Sequence, residues 1–201
     1  MTEVRFTFDA YEALIRDLKR EDYDFRCFEE DLGAGSVLLR HDVDWSPRKA
    51  RRIGEIEARN GVSATYCFLV TSPFYNVANR ETRDVIAALG DLGHDVGLHF
   101  STHQYEFEWQ TDGSLVRLVD SERRLLGDIA DREVRVVSFH NPPQWVFKRE
   151  FETFVSTYAP RFFEEIEYRA DSNQRWRDED PFVDGYPNRF QLLTHPVLWG
   201  A

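Results

Sequence analysis

The stretch that most constrains this chain is Val37–Pro47, which reads V-L-L-R-H-D-V-D-W-S-P. Val37, Leu38 and Leu39 suit a buried strand, and Ser46-Pro47 reads as a helix N-cap followed by proline in the first turn. Asp42 and Asp44 therefore fall at the C-terminal edge of a strand, where α/β folds place their chemistry. Two close carboxylates repel each other unless a cation or a shared proton compensates. An isolated D-x-D also serves in loops and caps, so its meaning depends on what else reaches that edge.

Strand and helix signals alternate along the rest of the chain. Helices are predicted over 9–21, 47–60, 81–92 and 115–130, with a poorer one over 148–158. Strands are predicted from Val37 and over 62–70, 95–99, 134–139 and 190–194, with extended pieces at 25–28 and 162–168. Repeated alternation implies a parallel sheet with covering helices. The polar stretch 171–188, broken by Pro181, Gly185 and Pro187, carries the weakest signals. Asp42, Asp44, His99, His103, His140, Asp171 and His195 all fall at or just beyond strand C-termini. In a parallel barrel those ends share one face. Five of the six histidines lie at or beside such positions, His94 being the exception.

His99-x-x-x-His103 has the i, i+4 spacing that lets two imidazoles face one ion from a helical turn, with Asp44 supplying an oxygen. Two histidines and one carboxylate leave positions open for water and substrate, which is a catalytic arrangement. On spacing alone, His103 as a surface residue and His99 as a hydrogen-bonded strand-end histidine remain an alternative.

H-D-V-D (41–44), H-F-S-T-H (99–103) and L-L-T-H (192–195) resemble the motifs of NodB-type polysaccharide deacetylases, carbohydrate esterase family 4. The likeness spans about residues 37–196. It is nearest to a divergent intracellular branch associated with surface-polysaccharide biosynthesis. The resemblance implies a distorted, incomplete (β/α) barrel of about seven strands, one domain over 1–201 with its core at about 37–196 and a helical extension over 1–35. It also implies Asp42 as catalytic base, Asp44, His99 and His103 as ligands of zinc or a similar divalent ion, and His195 as general acid. Asp171 and Trp176 resemble the acidic residue that orients the acid histidine and the tryptophan lining the acetyl pocket.

The third motif departs from the family pattern. His140-Asn141-Pro142-Pro143 stands where R-x-P-Y is usual, so His140 takes the place of the arginine that orients the base. Pro143 replaces the residue whose N–H meets the oxyanion, and proline has none. Losing such a donor typically costs about 10²–10³ in rate. Trp45, Phe74, Tyr75, Trp145 and Trp176 fall in loops on the same face, where they would stack on sugar rings or pack beneath the loops.

The reaction implied is metal-assisted removal of an N-acetyl group from a sugar or glycan precursor. Two rivals remain: a barrel that binds metal and glycan without hydrolysis, and a haloacid-dehalogenase-like phosphatase with Asp42 as nucleophile. A net charge of −11 argues against nucleic acid or an anionic membrane as partner. No apolar run approaches a membrane span, and the N-terminus has no signal-peptide pattern. Cys27 and Cys67, without metal-type spacing, suit a reducing, cytoplasmic setting. Oligomeric state is not legible in the sequence.

Overall fold

The computed structural model describes residues 5–105 and 112–200. Its centre is β2 (Ser36–Val43), every residue of which is buried. β8 (Phe190–Thr194) pairs along residues 37–41, β3 (Thr65–Leu69) along 40–43, and β1 (Asp24–Arg26) along 36–38. With β4 (Asp95–Ser101), β5 (Val136–His140), β6 (Val155–Ser156) and β7 (Glu167–Ala170), the order is β6-β5-β4-β3-β2-β8-β7, and β1 pairs β2 off this path. Every pairing is parallel. The sheet curls into the expected half-barrel with helices outside.

Three helices begin at side-chain caps, of which Ser46 is the one read from the sequence. Ser46 accepts from Lys49 N–H at the head of α2 (Pro47–Arg59), with Pro47 in the first turn. Thr7 and Asn79 cap α1 (Phe8–Arg20) and α3 (Arg80–Asp91) in the same way. α4 (Asp112–Ala130) and the single-turn α5 (Pro160–Phe163) complete the set.

Successive side chains of a strand point to opposite faces, and β2 uses both. Val37, Leu39 and Val43 pack outward in one apolar cluster with Tyr11, Ile15 and Leu18 of α1 and Ala50, Ile53 and Ile56 of α2. His41, on the same face, puts Nε2 2.6 Å from Glu57 Oε1 and Nδ1 2.7 Å from Thr194 Oγ1. Tyr66 donates its hydroxyl to Glu57 Oε2 at 2.5 Å, and Tyr11 donates to Oε1. Burial would raise the Glu57 pKa, but His41, then His94 and the Tyr11 hydroxyl, hold it below the usual value, so the carboxylate stays ionised. One buried anion thus ties α1, α2, β2 and β3 together.

The inward face is layered. Leu38 joins Phe28, Val136, Phe162 and Ile166 in an apolar plug. Arg40 comes next among Thr157, Tyr158 and Gln191, then Asp42 beside Ser138. Asp44 follows just past the strand end. Apolar packing therefore gives way to ionisable groups along one strand.

Two expectations for the C-terminal half are corrected. Residues 148–158 form no helix; they run irregularly into β6, where Val155 and Thr157 N–H groups donate to Arg135 and Val137 carbonyls. Phe154, Val155 and Thr157 are aromatic or β-branched, and an open sheet edge outcompetes a weak helical signal. The extended piece at 162–168 instead begins inside α5, which Pro160 initiates, and β7 starts only at Glu167. Among the described residues no helix is long and apolar enough to cross a membrane.

Glu122 of α4 is 4% exposed; its Oε1 accepts from Tyr105 while Oε2 is buried without a partner. Burial pushes its carboxyl up to about 7 from a usual 4.5, only partly offset by the Tyr105 bond. A folded-state pKa above the unfolded one means stability falls as pH rises through that window. Glu122→Gln is expected to differ least from the parent in thermal unfolding near about pH 4 and to exceed it near about pH 8. An equal difference at both would remove the assignment.

Candidate active site

The C-terminal ends of β2, β4, β5 and β8 border a cleft of about 660 Å³, walled by Asp42, Asp44, His99, His140 and His195. β2 delivers both aspartates to one face because they are two residues apart. β4 delivers His99, β5 delivers Ser138 and His140, and Asp171 and His195 follow β7 and β8 directly.

Asp44, His99 and His140 form the group of possible metal ligands among the described residues, with ligand atoms all within 4.8 Å of one another. Asp44 Oδ1 lies 3.2 Å from His99 Nε2 and 3.1 Å from His140 Nδ1, and the two ring nitrogens are 3.1 Å apart. That oxygen is buried and makes no hydrogen bond of acceptable geometry. Burial would raise Asp44's pKa, but the neighbouring imidazoles hold it well below the usual carboxylate range. His99 Nδ1 is 3.1 Å from Ser138 Oγ, whose proton goes to Asp42 Oδ2 at 3.0 Å. With Ser138 Oγ accepting from His99 Nδ1–H, the Nε2 atom that faces Asp44 would be left to bind a cation. An unsatisfied carboxylate oxygen and an imidazole lone pair converging on one point suit a cation.

His103 is not in this group. It is exposed on a 3-10 turn over Thr102–Tyr105. A helical turn from His99 would bring the two rings together, whereas β4 stays extended to Ser101. His140 occupies the third position instead.

Asp42, 2% exposed, accepts from Arg40 Nη2 at 3.1 Å and from Ser138 at Oδ2, while its buried Oδ1 has no partner. Burial raises its pKa; Arg40, then His99 and His195, bring the balance below the usual value. The carboxylate is therefore ionised, as a base must be.

Asp171 is fully buried and saturated: His195 Nδ1 lies 2.5 Å from Oδ1, and Oδ2 accepts from His195 N–H at 2.9 Å and Trp199 Nε1–H at 3.0 Å. Burial alone would lower the His195 pKa, but the Asp171 bond and charge lift it to about 9. The ring is thus protonated at neutral pH, with Nε2 4.0 Å from Asp44 Oδ2.

The aromatic expectations divide. Trp176 is 4% exposed in the core, edge-on to Trp199 with centroids 6.3 Å apart, and does not line the cleft. Trp145 packs against the core with Arg149 over its ring, also away from the cleft walls. Burying such large rings stabilises more than exposing them. Tyr75 is a brace: its hydroxyl donates to Val43 O at 2.6 Å and accepts from Leu69 N–H at 2.8 Å. Trp45 does line the cleft, and it and Phe74 are 54% and 59% exposed with centroids 4.7 Å apart.

Arg40, Ser138, Lys49 and Arg177 were not foreseen, although the last two line the cleft. For Arg40 and Ser138 a signal existed: each lies two residues before a rim residue, hence on the same strand face.

No protein-family model and no curated protein matches this sequence. Solved structures do match. A family 4 carbohydrate esterase from Bacillus anthracis is 17% identical, with a TM-score of 0.54 over 92% of this chain and 77% of that one. The Xyl-CE4 domain of a multidomain xylanase from the hindgut metagenome of Trinervitermes trinervoides is 16% identical, with a TM-score of 0.55 over 80% and 73%. A CE4 family pseudoenzyme from Bacillus anthracis is 15% identical, with a TM-score of 0.52 over 80% and 54%. This chain has the fold of the family 4 carbohydrate esterases.

Proposed function

We propose that this chain is a divalent-metal-dependent hydrolase that removes the N-acetyl group of a sugar or glycan precursor, in the divergent intracellular branch linked to surface-polysaccharide biosynthesis. The observation that carries the reading is the convergence of Asp44, His99 and His140 in one cleft with Asp42 and with a His195 held by Asp171. Two imidazoles and one carboxylate suit zinc. Asn141 Nδ2 stands 3.1 Å from His140 Nε2; with that amide turned, its carbonyl accepts Nε2–H and the Nδ1 lone pair faces Asp44. An ion held there supplies Lewis acidity toward an amide carbonyl and toward water.

The remaining steps belong to the chain. Asp42, with Oδ2 anchored and Oδ1 unpartnered, takes a proton from the attacking water. His195 gives its Nε2 proton to the departing amine, a poor leaving group without it, while Asp171 holds the ring and its charge. Trp45 and Phe74 offer an apolar face to a sugar ring. Free Cys27 and Cys67 fit a reducing cytoplasm.

A second reading, a barrel that binds metal and glycan without hydrolysis, is favoured by two observations: His140 Nδ1 lies beside Asp44 and His99, and Pro143 has no N–H to offer an oxyanion. The phosphatase reading loses support, since it gives no role to His99, His140 or His195.

The purified protein is expected to hold one divalent ion per chain, to lose thermal stability with chelator, and to release acetate from N-acetylated sugars. His140→Ala should abolish ion retention by elemental analysis, whereas His103→Ala should leave it intact. The reverse pattern restores His103 as ligand. Asp42→Asn should keep the ion and lose acetate release by about 10²-fold or more. Ion retention without acetate release selects the binding barrel, and phosphate release from phosphosugars the phosphatase.

A further inference from the structure

We infer that Arg40 is the positioning residue for Asp42, supplying from β2 the guanidinium that orients the base; this rests on the hydrolase reading above. Arg40 is fully buried in the barrel interior. Its Nη2 donates to Asp42 Oδ2 at 3.1 Å and to the Tyr158 hydroxyl at 3.2 Å. Its Nη1 donates to Thr157 Oγ1 and Gln191 Oε1, both at 2.7 Å. Gln191 is itself held, its Nε2 donating to the Thr157 and Phe162 carbonyls at 3.0 Å. The Tyr158 ring lies 5.0 Å from the guanidinium carbon.

A guanidinium gripped from β8 and the 157–158 segment cannot swing with Asp42, so it fixes the carboxylate and not the reverse. Arg40 and Ser138 both bind Oδ2, which leaves Oδ1 as the oxygen free to meet a reactant. An ion pair inside a barrel is a weak source of stability compared with apolar packing of similar volume. Its retention next to the proposed base is accounted for by orientation. The arginine missing from the third motif makes the same point from the other side. His140 stands there, and its Nδ1 is committed beside Asp44 and His99, so it does not orient Asp42. The period-two face of β2 lets residue 40 reach residue 42 without help from β5.

The test combines kinetics, ion content, thermal unfolding and crystal structures of Arg40→Gln, Arg40→Lys and Thr157→Val. Arg40→Gln is expected to lose about 10²-fold in kcat with KM changed less than about threefold, since a misplaced base slows the step without weakening binding. Ion content should not change, and the Asp42 carboxylate should rotate in the crystal. Arg40→Lys should recover part of kcat, because an ammonium keeps the charge but lacks the fork that spans four acceptors. Thr157→Val, which loosens the guanidinium while leaving it in place, should lower kcat severalfold at constant KM. If Arg40→Gln does not fold, the other two decide. Parental kcat in the folded variants with an unmoved Asp42, or parallel loss of ion, KM and stability, overturns the inference. Should the parent protein hold its ion yet release no acetate, the hydrolase reading fails, and the Asp42 orientation in the crystals still decides the positioning claim.

Discussion

A strand has two faces, and everything at this site follows from β2 having a different chemistry on each. Outward, Val37, Leu39 and Val43 bury against α1 and α2, and His41 meets the buried carboxylate of Glu57. Inward, Arg40, Asp42 and Asp44 step toward the rim at every second residue. A one-residue slip of register would send the aspartates into the helical layer and the aliphatic side chains into the cleft. The paired register with β3 and β8, together with the Glu57 network, makes such a slip costly.

The inward row also arranges charge by depth. The deepest ionisable group is a cation, Arg40, which keeps Asp42 ionised in a place where desolvation opposes it. Asp44 lies shallower and draws on two imidazoles. At the neighbouring ends of β7 and β8 Asp171 does the opposite service, holding a proton on His195. The cleft therefore presents a proton acceptor and a proton donor at the same pH, with the group suited to a cation next to both. Environments that push titratable groups apart in this way are characteristic of acid–base sites.

Much of this was legible before any coordinates. Apolar triplets running into Asp42 and Asp44, the strand ahead of His99 and the strand ahead of His195 mark the rim by the rule that parallel strands end on one face. The caps at Ser46 and the alternation of elements gave the layering. His103 stands apart from His99 because H-x-x-x-H brings two rings together only where those residues are helical, and β4 stays paired with β5 out to Ser101 and His140. Trp176 could stack in the cleft or pack beneath the loops on sequence alone, and Trp199 and Phe182 beside it place it in the core.

What the amino-acid order determined by itself was local: which segments extend, where helices start, and which side chains alternate onto the face that carries Asp42 and Asp44. Only the tertiary structure decided which imidazoles meet those carboxylates, because His99 and His140 are 41 residues apart and are joined solely by the lateral pairing of β4 and β5. The same holds for Arg40 and its partners Thr157 and Gln191, brought together by closure of a curved sheet that no local pattern encodes. Spacing along a chain fixes direction, whereas coordination requires coincidence in space, and that is a property of the packed barrel.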